Sequence, residues 1–229
     1  MHNDFRQAYL LHRRPYSDSQ AMLSMLVEGV GHLTMLARLK GKQSVKHSAQ
    51  LQPFTPILCR YAGNFDLKYL NQFELVQNPL PLKGKPLYCA FYLNELSYRV
   101  IPASEPQEYI YELYQKHLKQ LVDCNDFEPV LRSYEYQLLE ALGFGIEFDM
   151  DADGDEIKDK YYYQYIPELG FVVTDNPQMG FNGKVLNRMA SGEFADPEVR
   201  KPAKYLSRYL LKPLLGNKAL KSRELFLSR

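Results

Sequence analysis

Apolar positions in the first 75 residues fall into short runs separated by turn chemistry. Phe5–Leu11, Ala21–Val27, Val30–Leu36, Phe54–Tyr61 and Asp66–Leu75 are rich in apolar and aromatic residues and predict five strands. Arg14-Pro15-Tyr16-Ser17-Asp18, Glu28-Gly29 and Ala62-Gly63-Asn64 lie between them as turns. Glu28-Gly29, tight between two apolar runs, predicts a hairpin. A long loop follows the third run. Five short strands with that one long loop match the five-stranded OB barrel; a small SH3-like barrel satisfies the same pattern.

Asn78-Pro79-Leu80-Pro81 marks a boundary, because proline removes ladder donors and disfavours helix just upstream. Beyond it the period changes from two to between three and four. Tyr88, Tyr92, Leu96 and Val100 form one such series. Ile110, Leu113, Tyr114, His117, Leu118 and Leu121 form a second, and Leu131, Tyr134, Leu138 and Leu142 a third. Three amphipathic helices follow. Ser104 with Gln107 predicts a capping box, Asp126 a cap and Gly143 a closing residue. Tyr161–Tyr165 and Phe171–Val173 predict a hairpin turned at Pro167–Gly170. Its tyrosines suit either base stacking or packing on the helices. Asp196 and Pro197 open a last helix that Pro213 is expected to stop. The expected architecture is α+β and multidomain. An OB-fold DNA-binding domain spans residues 1–78. A helical bundle domain spans 82–229, with an acidic turn and a small β-hairpin insertion at about 146–175.

Charge changes this picture. Residues 1–80 hold nine basic and five acidic side chains, residues 81–183 eight and eighteen, and residues 184–229 eleven and four. Two basic ends around an acidic middle suggest an anion-facing surface. In the first part the basic residues gather between His32 and Phe54, where Arg38, Lys40, Lys42 and Lys46 stand with no acidic neighbour. Such a loop on a small barrel suits a phosphate backbone; a solvated surface loop is the plainer reading. In the last helix, Lys201, Lys204, Arg208 and Lys212 are spaced three, four and four and so share one face, with Leu206, Tyr209 and Leu210 elsewhere on it, toward a core. Lys218, Lys221 and Arg223 follow.

No apolar run is long enough to span a bilayer. The start, MHNDFRQAYL, lacks a basic segment leading into an apolar one. Cys59, Cys89 and Cys124 form neither a zinc spacing nor a disulfide framework, which favours a reducing cytoplasm. No catalytic motif appears: no G-x-S-x-G, P-loop, dinucleotide fingerprint or H-E-x-x-H. Asp149, Asp151, Asp153 and Gly154 fit the opening of a calcium loop, but Lys160 stands where its twelfth-position Glu belongs. A solvated acidic turn is the better reading. His117 falls on an apolar helix face as a core histidine.

Several segments then resemble one family in order along the chain. They are Gln7-Ala8-Tyr9-Leu10-Leu11-His12-Arg13-Arg14-Pro15-Tyr16-Ser17-Asp18, Leu51-Gln52-Pro53-Phe54-Thr55-Pro56 and Leu87-Tyr88 through Tyr92-Leu93-Asn94-Glu95-Leu96. Leu131-Arg132-Ser133-Tyr134-Glu135, Leu142-Gly143-Phe144-Gly145 and Leu220-Lys221-Ser222-Arg223-Glu224-Leu225-Phe226 continue the series. The chain resembles bacterial RecO, the recombination mediators of DNA repair. The resemblance implies a non-enzymatic protein that binds and anneals single-stranded DNA and also binds double-stranded DNA. It implies partnership with RecR, with the C-terminal tail of single-stranded DNA-binding protein, and indirectly with RecA. It places the protein in the cytoplasm, on the nucleoid during repair, and involves no membrane. Some members carry a four-cysteine zinc element after the central helices; here that region is the aspartate-rich turn, so neither zinc nor any other cofactor is expected.

On this reading Arg38, Lys40, Lys42 and Lys46 contact phosphates, and Lys201, Lys204, Arg208, Lys212, Lys218, Lys221 and Arg223 extend the path. Arg132, with Leu131 and Tyr134, is the candidate to fork onto the terminal carboxylate of an acidic protein tail. The plainer role for Arg132 is an ion pair with Glu135 one turn on. Two other classes stay open. One is a scaffold whose barrel docks protein tails rather than DNA. The other is a metal-dependent nuclease using Asp151, Asp153 and Asp155.

Overall fold

A computed structural model of the chain describes residues 4–38, 50–63 and 66–227. β1 (Arg6–Ser17), β2 (Gln20–Val27), β3 (Gly31–Arg38), β4 (Ile57–Ala62) and β5 (Leu67–Leu75) close a barrel in the order β1-β2-β3-β5-β4. β3 and β5 run parallel, Thr34 opposite Leu67, and β4 returns to β1 with Ile57 opposite Ala8. That order is the OB topology rather than the SH3-like alternative. Alternate side chains fill the barrel: Leu23, Met25 and Val27 of β2 face Leu33, Met35 and Ala37 of β3, with Leu10, Ile57 and Cys59. The Glu28-Gly29 turn forms as expected, with Gly29 at φ 65 and Val30 N–H donating to the Val27 carbonyl at 3.1 Å.

β1 continues through Arg14-Pro15, where the sequence predicted a turn; the turn sits at Asp18-Ser19 instead. β4 covers β1 only at Arg6–Ala8, and the register shifts between Pro15 and Ser17. Pro15 therefore lies on a strand edge next to a bulge, where a missing donor is tolerated.

The other face of β1–β3 carries Tyr9, Leu11, Leu26 and His32, all buried. Helices α1 (Lys85–Val100) and α2 (Ile110–Asp123) cover it. The Tyr9 ring lies 5.3 Å from Tyr111 and 5.2 Å from Tyr114. Asn94 Nδ2 donates to the Leu11 carbonyl, and Tyr114 Oη donates to Asn94 Oδ1 at 2.9 Å. His32 Nδ1 bonds the Ile101 carbonyl at 2.9 Å. The link between the helices is tied to β3 and the turn before it as well: Ser104 N–H donates to the His32 carbonyl at 2.8 Å and Gln107 N–H to that of Val30 at 3.1 Å. Those bonds replace the expected Ser104/Gln107 capping box, and α2 starts later, at Ile110.

By packing, the chain forms two units, one of Met1–Cys124 with Leu214–Arg229 and the other of Asn125–Pro213. Asn78–Pro81 is an exposed connector without regular structure, inside the first unit. The second unit holds α3 (Phe127–Ala141), β6 (Tyr162–Ile166), β7 (Gly170–Thr174), β8 (Phe181–Asn182), α4 (Gly183–Ala190) and the body of α5 (Pro197–Leu215). β6 and β7 form the expected hairpin. The sequence reading had neither β8, which completes a sheet of order β7-β6-β8, nor α4. Asn182 caps α4 by accepting from Lys184 N–H at 3.0 Å. Asp196 caps α5, accepting from Glu198 N–H at 2.8 Å. Pro213 does not stop α5; the helix runs to Leu215 and ends at Gly216, φ 63. Asp126 precedes α3 but does not cap it, because its carboxylate takes the Arg200 guanidinium.

Arg132 lies inside the second unit. Its guanidinium donates to Ser207 Oγ of α5 at 2.8 Å and to Glu135 Oε1 at 2.6 Å. Tyr136 Oη donates to the Ala203 carbonyl at 2.7 Å, and its ring stacks on Phe194 at 5.4 Å. Removing one partner of a buried ion pair strands the other. Arg132→Met is therefore expected to lower the unfolding free energy by about 3–5 kcal/mol, and Arg132→Met/Glu135→Leu to recover most of it, in urea melts followed by circular dichroism.

Burial pushes the His32 and His117 imidazoles below their ordinary range, and hydrogen bonds to the Ile101 and Leu113 carbonyls oppose this only in part. In the unfolded chain histidine titrates at about 6.5. As pH falls, the unfolded state takes up these protons first. The stabilisation is thus complete above about pH 7 and is lost progressively below about 6.5. Thermal melts from pH 8 to 5 should show Tm falling on the acid side. His32→Gln/His117→Gln should flatten that fall.

Candidate nucleic-acid interface

Arg38 ends β3, exposed, with Gln20 opposite it, and Gln20 in turn faces Ser17. The same end of the barrel carries Arg13 and Arg14, opposite Leu23 and Met22. The exposed Arg14 rests its guanidinium on Met22 Sδ, with Nη2 at 2.8 Å. Lys40, Lys42 and Lys46 lie outside the described residues. The sequence pattern puts Arg14 in a turn with Pro15 and assigns Arg13 to no element, so neither is a site candidate on that reading. An Arg-Arg pair entering a proline was the available signal.

The C-terminal segment joins this end of the first unit. Glu95 of α1 accepts Lys221 N–H at 2.9 Å, Ser222 N–H at 2.8 Å and Ser222 Oγ at 2.7 Å. Burial alone would raise the Glu95 carboxyl; the bonds from Ser222 and Lys221, with Arg99 nearby, outweigh it and hold the group below the usual carboxylate range. Arg99 donates to the carbonyls of Leu215, Lys218 and Ala219 at 2.5, 2.6 and 3.1 Å. A carboxylate and a guanidinium thus hold the backbone, and the side chains of Lys218 and Lys221 remain exposed. Arg223 is half-buried, its guanidinium 5.9 Å from the Tyr92 ring centre.

Between β1, α1 and this segment is a cavity of about 640 Å³, lined by Leu11, His12, Phe91, Tyr98, Lys218 and Lys221 among others. His12 stacks on Tyr98 at 4.6 Å. Burial first, then the charges of Arg14 and Lys221, lower the His12 imidazole. One cation from β1 and one from the C-terminus therefore act on the same point. The arrangement offers stacking rings with cations on the rim, which suits a phosphorylated or carboxylated ligand with an apolar or aromatic part.

The second unit holds the predicted stripe on α5. Lys201, Arg208 and Lys212 are exposed. Lys204 instead bonds Glu128 at 2.6 Å, which lowers the Glu128 carboxyl. Leu131 is half-buried, and Tyr134 and Arg132 are buried. A protein tail reaching Arg132 would have to displace Ser207 and Glu135, which occupy its two terminal nitrogens. The acidic turn is organised by its own carboxylate. Asp151 Oδ1 accepts the N–H groups of Asp153 and Asp155, each at 3.0 Å, and Gly154 sits at φ 82. Among the described residues, no cluster of three or more His, Cys, Asp or Glu side chains is arranged to hold a metal ion, and no helix is long and apolar enough to cross a membrane.

Comparison with known proteins agrees with this architecture. Residues 1–79 match the family described as Recombination protein O N terminal, and residues 83–224 match Recombination protein O C terminal. A protein of Pseudoalteromonas translucida named DNA repair protein RecO is 58% identical over 226 residues, covering 99% of this chain and 98% of its own length. Proteins of the same name from Actinobacillus succinogenes and Aliivibrio fischeri are 39% and 36% identical, covering 97% and 100% of this chain and 94% and 98% of their own. The OB barrel, the helices that follow it and both family matches together make the chain a member of the RecO family of DNA repair proteins.

Proposed function

We propose that the chain is a non-enzymatic mediator of DNA repair that binds and anneals single-stranded DNA and also engages double-stranded DNA. In this reading it acts with RecR and with the acidic tail of single-stranded DNA-binding protein, clearing the strand so that RecA loads. Residues 1–78 supply the DNA-binding barrel, and residues 82–229 supply docking surfaces and the second basic end. The observation that carries the reading is the meeting of Lys218 and Lys221 with His12 and Tyr98 around one cavity, beside Arg14. Cations on a rim over stacking rings are the working parts of a single-strand site. Burial pushes the Cys59 and Cys89 thiols up to about 12. Inert thiols of this kind fit work in the cytoplasm, at the nucleoid.

A second reading has one observation of its own. Leu11, Phe91 and Leu225 make much of the cavity wall apolar, which suits the end of an acidic protein tail docking there instead of DNA.

Fluorescence anisotropy with a labelled oligothymidylate, across a salt series, separates the two. The parent should bind more weakly as salt rises. Lys218→Glu/Lys221→Glu and Lys40→Glu/Lys42→Glu/Lys46→Glu should each flatten the plot of log affinity against log salt by about 0.7 per phosphate contact removed. Variants that match the parent at every salt would contradict the reading. An acidic peptide that binds the parent while the oligonucleotide does not would favour the scaffold.

A further inference from the structure

The exposed face of α5 that carries Lys201, Arg208 and Lys212 also carries Tyr205 and Tyr209. Tyr205 is 67% exposed and Tyr209 43%. The same helix buries Val199, Ala203, Leu206 and Leu211, while these two rings keep exposed surface. Beside them is a cavity of about 570 Å³, within the range of small-ligand sites. Tyr165 and Phe181 line it, Tyr165 edge-on to Tyr209 at 6.1 Å and Phe181 against Tyr205 at 6.3 Å. Gln164 and Gln178 also line it, and among the described residues their side-chain amides have no protein partner. Among the described residues, no carboxylate lines the cavity. Lys201, Arg208 and Lys212 have no ion pair among the described residues.

We propose that this face is a base-stacking platform for single-stranded nucleic acid. Bases stack on Tyr205 and Tyr209, one base enters the cavity beside Tyr165, and the row Lys201, Arg208, Lys212 takes the phosphates. The inference rests on the nucleic-acid reading above and adds to it a site for the bases in the second unit. Two features select a polymer over a single anionic tail. The cation row runs over eleven residue steps, about 16 Å at the helical rise, so a repeating anion engages all of it and one terminal carboxylate engages only part. The uncommitted glutamine amides offer donors and acceptors together, which match base edges. Tyrosine faces accept any base, as annealing of arbitrary sequences requires.

The test uses the full chain, a fluorescein-labelled oligothymidylate and the same strand with 5-iododeoxyuridine for photocrosslinking. Tyr205→Ala/Tyr209→Ala should bind at least about fivefold more weakly for each stacked ring lost. Its salt slope should stay that of the parent, because no phosphate contact is removed. Tyr205→Phe/Tyr209→Phe should bind like the parent, since the stacking faces remain. Lys201→Ala/Arg208→Ala/Lys212→Ala should instead reduce the salt slope by about 2, at about 0.7 per contact. Crosslinks should map to Tyr165, Tyr205 or Tyr209. Both rings are exposed, so an unchanged circular dichroism melt confirms that the variants fold. If the parent binds with its full salt slope and the double alanine variant equals it, the platform is overturned while the mediator reading stands. A parent that does not bind the oligonucleotide overturns both. If the alanine variant loses only an acidic, apolar-ended peptide and keeps the oligonucleotide, the face docks a protein and the platform is overturned.

Discussion

The structure depends on burying the outer face of β1–β3 beneath α1 and α2. Tyr9 is wedged between Tyr111 and Tyr114, and Asn94 is used from both ends, donating to the Leu11 carbonyl and accepting from Tyr114. An unsatisfied amide at that depth would cost about 1–3 kcal/mol, so the bond pair sets the register of α1 against β1. His32 and the Ser104–Gln107 backbone extend the same seam to β3. The barrel and its first two helices therefore share one interior, although a proline-rich connector separates them in sequence.

This constraint decides where a ligand can lie on the first unit. The outer wall of β1–β3 is occupied, which leaves the barrel ends and the strands away from the helices. α1 then does a second task. Through Glu95 and Arg99 it grips the backbone of residues 215–222 and sets Lys218 and Lys221 beside His12. Because the grip is on backbone groups, the lysine charges stay available. The second unit treats its cations differently. Arg188, Arg200 and Lys204 are committed to carboxylates, and Lys201, Arg208 and Lys212 are not. The availability of a cation is thus set by its neighbours and not by the local density of basic residues.

Much of this was legible in the sequence. Period-two runs and the Glu28-Gly29 turn placed the barrel strands, and Gly143 and Asp196 placed helix ends. The misses share one cause, which is that long-range partners overrode local signals. Asp126 is a good cap by type, but Arg200, far along the chain, claims its carboxylate. Ser104 and Gln107 fit a capping box, but the His32 and Val30 carbonyls take their amides. Arg132 reads as a tail contact or as a partner of Glu135; the pair with Glu135 forms, and Ser207, seventy-five positions away, helps hold it in the interior. At the candidate site, the basic positions at both ends could be read directly. Arg14 was hidden by its proline neighbour, and the docking of residues 215–222 on α1 left no periodic trace. On α5 the sequence spacing groups Tyr209 with Leu206 and Leu210 toward a core, yet Tyr209 is exposed, since a sequence does not say which side of a helix is already covered.

The shared interior of barrel and helices is the claim on which the rest stands, and native-state hydrogen exchange of the full chain tests it most directly. Amides of β1–β3 and of α1 and α2 should lose protection together, with a common opening free energy that falls in parallel as urea is added. Barrel amides that stay protected after α1 and α2 have exchanged freely would contradict it.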